Sequence, residues 1–110
     1  MDEKTYNKLF GARVKYYRQR KGLTQKEFAS LLGYTTPATI SAIETGIQTI
    51  PLSKLPDFCV ALDVSAWDLL GLNEKDKMIW SIAEKAENGG ARDEDLSKFL
   101  EIYLKLLEGK

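Results

Sequence analysis

The stretch from Thr24 to Gly46, TQKEFASLLGYTTPATISAIETG, predicts two short helices separated by a tight turn. Its first residue and Glu27 have the spacing of a capping box, in which a threonine begins a helix and a glutamate three residues later bonds back to it. Gly33 suits the end of the first helix, where a left-handed backbone is common. Thr36 is placed to cap a second helix that has Pro37 at its first position.

Apolar residues in this stretch recur at helical spacing. The first helix carries an apolar stripe, and two isoleucines face inward on the second helix. These residues are Phe28, Ala29, Leu31, Leu32, Ile40 and Ile43. Two helices joined by a turn of three or four residues that includes a glycine are typical of the helix-turn-helix arrangement that binds DNA.

The flanking sequence predicts three further helices. One spans about residues 8–21, a second runs from Pro51 to about Leu62, and a third from Ala66 to Leu70 is capped by Ser65. Residues 1–7 are expected to be frayed. The predicted buried residues of the flanking helices are Leu9, Phe10, Val14, Tyr17, Leu52, Leu55, Phe58, Cys59 and Leu62. Five helices with short connections make an all-α head.

Over about residues 9–72 the chain resembles the Cro-like (XRE) phage-repressor helix-turn-helix family. The matching residues are Arg18, the GLTQ run at 22–25, Phe28-Ala29, Leu32-Gly33, Ile40-Ser41, Ile43-Glu44, Gly46, Pro51, the ALDVS run at 61–65, Trp67, Leu69 and Leu70. The resemblance implies an all-α, five-helix repressor-like DNA-binding head at residues 1–72, followed by a C-terminal helical hairpin at 73–110. One spacing differs: Gly33 and Ile40 are seven residues apart where the family has six, so the turn carries one extra residue.

The resemblance also implies roles for individual residues. By position, base contacts fall to Pro37, Ala38, Thr39 and Ala42. None of these is Arg, Asn or Gln, the residues that pair with a purine edge through two hydrogen bonds. Small apolar groups here suit thymine methyls, and specificity can also come from DNA shape or from the loop at 47–50, where Gln48 is the long polar side chain.

Two further sets of residues complete the predicted site. The family pattern pairs Arg18 with Glu44, although a phosphate contact from Arg18 is the alternative. Phosphate contacts are expected at the start of the first motif helix and around the second, from cations, short hydroxyls and backbone N–H groups. The predicted phosphate-contacting residues are Gln25, Lys26, Lys21, Thr35, Thr36 and Ser41.

Charge and composition restrict the other possibilities. The net charge is zero, but between Lys4 and Lys26 there are eight basic residues and no acidic one. Such a cationic half is expected of a DNA-binding head. With no histidine and with Cys59 as the single cysteine, we expect no metal site, no cofactor and no enzyme activity. No apolar run approaches eighteen residues, so we expect no membrane association and a soluble, cytoplasmic protein.

Beyond Gly71 the sequence predicts helices at about 74–88 and 93–108, separated by Gly89-Gly90. The last helix carries more apolar residues than one narrow stripe absorbs, so they pack on the head or form an interface. The residues expected at a homodimer interface are Leu96, Phe99, Leu100, Tyr103, Leu106 and Leu107. A dimeric repressor of prophage or mobile-element type bound to a palindromic operator is the leading interpretation. The alternative is an antitoxin whose hairpin binds a partner protein.

Overall fold

The computed structural model describes residues 2–73 and, beyond them, positions 77, 81, 84, 85, 88, 89, 98, 101, 102 and 105. Five α-helices follow one another in the first range: α1 (Glu3–Arg20), α2 (Gln25–Leu31), α3 (Ala38–Glu44), α4 (Leu55–Leu62) and α5 (Ala66–Leu70). The described part of the chain contains no strand, and the predicted all-α class is confirmed. None of its helices has the length and apolar character needed to cross a membrane.

The first helix begins five residues earlier than predicted, so the expectation of a frayed N-terminus is wrong for residues 2–7. Asp2 is the N-cap of α1, and its carboxylate accepts a hydrogen bond of 2.8 Å from the backbone N–H of Thr5. The Tyr6 hydroxyl donates to the carbonyl oxygen of Leu70, which is 64 residues later in the chain. A cap and a long-range bond therefore order the first turn and a half of α1.

The helices enclose one apolar core. Phe28 of α2 and Phe58 of α4 meet edge to face at its centre, with ring centroids 5.5 Å apart. The predicted core positions of α1 and the two inward isoleucines of α3 are all buried. The core residues are Phe10, Val14, Tyr17, Phe28, Ala29, Leu32, Ile40, Ile43, Phe58, Leu62 and Leu69.

Two leucines predicted to be buried are exposed instead. Leu31 is 63% exposed because α2 buries a narrow arc from Phe28 through Leu32 to Ala29, and Leu31 lies on the other side of Phe28. Leu52 is 82% exposed because residues 52–54 form a 3₁₀ turn before α4 begins, so α-helical periodicity does not apply to it. The predicted helix beginning at Pro51 is thus an α-helix only from Leu55.

Close approach of α1 and α3 depends on a glycine. A Cβ atom at Gly11 of α1 would lie 2.3 Å from the carbonyl oxygen of Ile43 and 2.7 Å from that of Glu44. Both distances are far below van der Waals contact, so only glycine fits this position in the observed packing. The crossing brings the backbone of α1 directly against the C-terminal turn of α3.

Arg13 connects α1 to the end of α5 and is fully buried. Its Nε donates to the carbonyl oxygen of Leu69 at 2.9 Å, and a terminal nitrogen donates to that of Leu70 at 3.1 Å. A cation at a helix C-terminus satisfies carbonyls that lack an intrahelical partner and interacts favourably with the helix dipole. The guanidinium also lies 6.0 Å from the centre of the Tyr6 ring. Arg13 is therefore a structural residue of the head.

The α5 prediction is confirmed: the Ser65 hydroxyl accepts from the Asp68 N–H, and the helix ends at Gly71 with φ of 72°. In the C-terminal part, the described positions 77, 81, 84, 85, 88, 98, 101, 102 and 105 are helical and 89 lies in a turn. The six predicted interface residues between 96 and 107 lie outside the described residues. Their role stays a prediction.

Candidate nucleic-acid interface

The capping box predicted at the start of α2 is present. The Thr24 hydroxyl accepts from the Glu27 N–H at 3.1 Å, and the Glu27 carboxylate accepts from the Thr24 N–H at 3.0 Å. The hydrogen bond from the Thr24 backbone, and then one with its hydroxyl, lower the pKa of the Glu27 carboxyl from its ordinary value. These bonds fix the N-terminus of α2 and the direction in which the chain enters it.

The turn between α2 and α3 is longer than predicted, with six residues (32–37) between the two helices. Gly33 adopts φ of 80°, as expected for the residue that ends α2. The helix α3 begins at Ala38, one residue later than predicted, and Pro37 occupies the preceding cap position with helical dihedral angles. The Thr36 hydroxyl accepts a hydrogen bond of 3.3 Å from the Ala38 N–H. Thr36 therefore satisfies one free donor at the start of α3.

Glu44 at the end of α3 is the hub of a buried polar network. Its carboxylate accepts two hydrogen bonds from Arg18 of α1, at 2.6 and 3.1 Å, and one from the Gln25 side-chain amide of α2, at 3.0 Å. Arg18 uses its third nitrogen to donate to the Leu23 carbonyl oxygen at 2.8 Å. The Arg18 and Glu44 side chains are only 8% and 2% exposed. The expected ion pair thus holds three helices in one arrangement.

The side of α3 that faces away from this network carries short side chains. Pro37 and Ala38 are exposed, and Thr39 and Ala42 are half-buried. With Ile40, Ile43 and Glu44 turned inward, the predicted base-contacting positions of α3 remain on one accessible side. The structure therefore brings these predicted base-contacting residues together.

The residues that follow α3 are tied back onto it. The N–H groups of Ile47 and Gln48 both donate to the carbonyl oxygen of Ala42, at 3.0 and 3.1 Å. Gly46 has φ of 82°, and a Cβ atom there would lie 2.9–3.0 Å from Lys8 of α1. Gln48 is exposed beside the end of α3, as predicted, and Ile47 is 82% exposed. Sequence reasoning did not single out Ile47, although an isoleucine between a glycine and polar residues was a signal.

The predicted phosphate-contacting residues fall into three groups. Lys26 is exposed at the start of α2, Thr35 and Thr36 are exposed in the turn between α2 and α3, and Ser41 is half-buried on α3. The remaining two, Gln25 and Lys21, are engaged within the protein. The Gln25 amide donates to Glu44, as described above, so its side chain supports α3 in this structure.

Lys21 lies on another side of the head. Its ammonium is 3.8 Å from the Asp63 carboxylate, and both residues line an open depression between the end of α1 and the α4–α5 turn. The structure therefore does not place Lys21 with the outer face of α3. The reason is that α1 ends at Arg20 and the chain turns at Gly22 towards α2, which leaves Lys21 beside the α4–α5 turn.

The cationic half is weaker at the surface than the sequence suggests. Of the eight basic residues between Lys4 and Lys26, Arg13 and Arg18 are buried and bonded inside the head. Of the other six, Lys8 is half-buried and five are exposed. Burial raises the pKa of the Cys59 thiol, which favours its neutral form. Within the described residues no group of three or more His, Cys, Asp or Glu side chains is arranged to hold a metal ion.

Comparison with known proteins agrees with this geometry. Residues 14–66 match the family model described as Helix-turn-helix. The chain is also similar to the HTH-type transcriptional regulator SinR of Bacillus licheniformis, with 39% identity over 70 residues. That match spans 63% of this chain and 60% of the relative's length. Residues 14–66, which match the family model, contain α2, the turn, α3 and both members of the Arg18–Glu44 pair. Residues 14–66 are therefore a helix-turn-helix domain of the Cro-like (XRE) family.

Proposed function

We propose that the chain is a sequence-specific double-stranded DNA-binding regulator of transcription that acts as a dimeric repressor. One observation carries the proposal: the Arg18–Glu44–Gln25 network bonds α3 to α1 and α2, while Pro37 and Ala38 on its outer side are exposed. A preorganised helix of this kind enters the major groove without paying for reordering on binding. The description of SinR as a transcriptional regulator supports the same conclusion.

Dimerisation is the second part of the proposal. One head of this size contacts few base pairs, whereas two heads related by a twofold axis contact half-sites about one helical turn, or roughly 34 Å, apart. The apolar residues of the segment from 92 to 110 supply the proposed interface, which predicts a palindromic operator. Deletion of residues 92–110 should convert a dimer into a monomer in sedimentation equilibrium. An unchanged mass would refute the interface.

The function is tested by selecting bound duplexes from random-sequence DNA with the full chain at two salt concentrations. We expect enrichment of a palindrome and an affinity that falls steeply as salt rises, because phosphate contacts release counterions. Ala38→Glu should abolish binding to the selected duplex, since it places a carboxylate on the face that meets DNA. The matched control is Val60→Glu on α4, an exposed position in the depression that also contains Lys21. A failure to enrich any sequence would refute the proposal and favour a protein-binding role, as in an antitoxin.

Repression, as opposed to activation, needs a separate measurement. A reporter gene placed behind the selected operator should be silenced by the wild-type chain and not by Ala38→Glu. Increased expression with the wild-type chain would show that the regulator activates transcription.

A further inference from the structure

Ile47 is an exposed apolar side chain at the edge of the proposed DNA-binding face. It is 82% exposed, although isoleucine is among the residues most often buried in proteins. A single exposed isoleucine needs no explanation on its own. Ile47 matters because of its position, three residues after the helix whose outer face is proposed to enter the major groove.

The backbone around Ile47 is fixed in place. Its N–H donates to the Ala42 carbonyl oxygen, and the Thr45 hydroxyl donates to the Ser41 carbonyl oxygen at 2.9 Å. Gly46 packs against the backbone of Lys8 on α1. On the other side of the loop, Ile50 packs against the core. Ile47 is therefore held out from a short segment anchored at both ends.

Apart from the Thr39 hydroxyl, the predicted base-contacting side chains of the neighbouring face are also apolar. The exposed positions at the start of α3 are Pro37 and Ala38, and the half-buried Ala42 lies one turn further along. No side chain among them forms the two hydrogen bonds that recognise guanine or adenine. In the major groove the complementary group for an apolar side chain is the 5-methyl group of thymine, which no other base of unmodified DNA carries.

We infer that the DNA-binding face recognises thymine 5-methyl groups and that Ile47 makes one of these contacts. The inference rests on the proposed function, since it specifies what the same surface recognises. Ile47 adds an exposed apolar side chain, beyond the C-terminal end of α3, to the apolar residues Pro37, Ala38 and Ala42. Operator half-sites should accordingly contain thymines whose methyl groups, rather than hydrogen-bonding edges, decide affinity.

Replacement of single thymines by deoxyuridine tests the inference, because uracil pairs as thymine does and lacks only the methyl group. The probe is the duplex selected above, with each thymine replaced in turn. Burial of one methyl group is worth about a fourfold change in affinity. We therefore expect a loss of about fourfold at one or more positions in each half-site. No loss at any thymine, in a duplex that the protein still selects, would overturn the inference and leave the proposed function intact.

A second variant assigns the contact to Ile47. Ile47→Ala should bind the thymine duplex at least fourfold more weakly, and one deoxyuridine substitution that weakens wild-type binding should then have no further effect. Val60→Ala is the matched control, because Val60 is also 82% exposed and lies on α4. It should show the wild-type pattern. If every deoxyuridine loss persists unchanged in Ile47→Ala, Ile47 makes no methyl contact. Absence of selection from random DNA would instead refute the proposed function itself.

Discussion

Removal of Glu44 should destabilise the head far more than removal of an exposed charge. Glu44→Ala leaves the Arg18 guanidinium, whose side chain is 8% exposed, without its anionic partner and removes the acceptor of the Gln25 amide. Breaking a buried pair in this way costs about 3–5 kcal/mol, chiefly because the remaining charge stays buried. A domain of this size has a stability of roughly 4–11 kcal/mol, at about 0.05–0.15 kcal/mol per residue. The variant should thus lose a large part of its free energy of unfolding.

Urea unfolding followed by far-UV circular dichroism measures this loss, provided that the m-value stays constant. Arg18→Met combined with Glu44→Ala should cost less than the sum of the two single changes, since no charge is then left buried without its partner. Lys21→Ala is the control, because the backbone of Lys21 has ordinary helical dihedral angles: the Lys21–Asp63 pair is 3.8 Å long, its side chains are 47% and 86% exposed, and such pairs contribute about 0–1 kcal/mol. The reasoning would be refuted if Glu44→Ala cost no more than Lys21→Ala, or if the effects of Arg18→Met and Glu44→Ala were additive.

Four further predictions concern the backbone and the caps. Gly33→Ala should cost roughly 1 kcal/mol, because the added Cβ meets no atom and only the positive φ opposes it. Gly11→Ala should cost several times as much, because its Cβ would force α1 and α3 apart. Thermal melts of the two variants compare these costs. Asp63 has φ of 56°, so Asp63→Gly should raise the free energy of unfolding by roughly 0.5–1 kcal/mol in urea titrations, and a decrease would contradict this. Thr24→Ala should lower the free energy of unfolding by about 1 kcal/mol, because it removes the hydroxyl that caps α2. The Glu27 pKa is depressed below 4.5, so its share of the cap is present above pH 4.5 and is lost as pH falls through the lower folded-state pKa. Glu27→Gln should therefore be destabilising at pH 7 and neutral at strongly acid pH, as urea titrations at both pH values would show.

Sequence reasoning succeeded where structure depends on neighbours along the chain. The capping box at Thr24, the end of α2 at Gly33 and the short helix after Ser65 all depend on residues within four positions of one another. Their hydrogen bonds form between local backbone and side-chain groups, so the residue types alone predict them. The inward positions of α3 were predictable for the same reason, since helical periodicity fixes which residues share a face.

The errors arose where the partner is distant in sequence. Arg13 counted as a surface cation because its partners, the carbonyls of α5, lie 56 and 57 residues further along the chain. The phosphate contact of Lys21 stays a prediction, but its position beside Asp63 of the α4–α5 turn was not predictable from the neighbouring sequence. Leu52 was assigned to the core because the change from an α-helix to a 3₁₀ turn is a small local difference that periodicity does not register. Tertiary packing decided the positions of Arg13 and Lys21, and a local change of helix type decided that of Leu52.

Arg13 and Arg18 also give α1 a mechanical role. Five residues along an α-helix correspond to about 7.5 Å. Arg13 bonds α1 to the end of α5, and Arg18 bonds it to the end of α3, at two positions separated by this distance along the same helix. The helix α5 is the last helix within residues 2–73. If two heads are joined through the segment beyond residue 73, the direction in which the chain continues from α5 determines how far apart the two α3 helices lie. Operator spacing would then be set by the stiffness of α1 as much as by the joining segment.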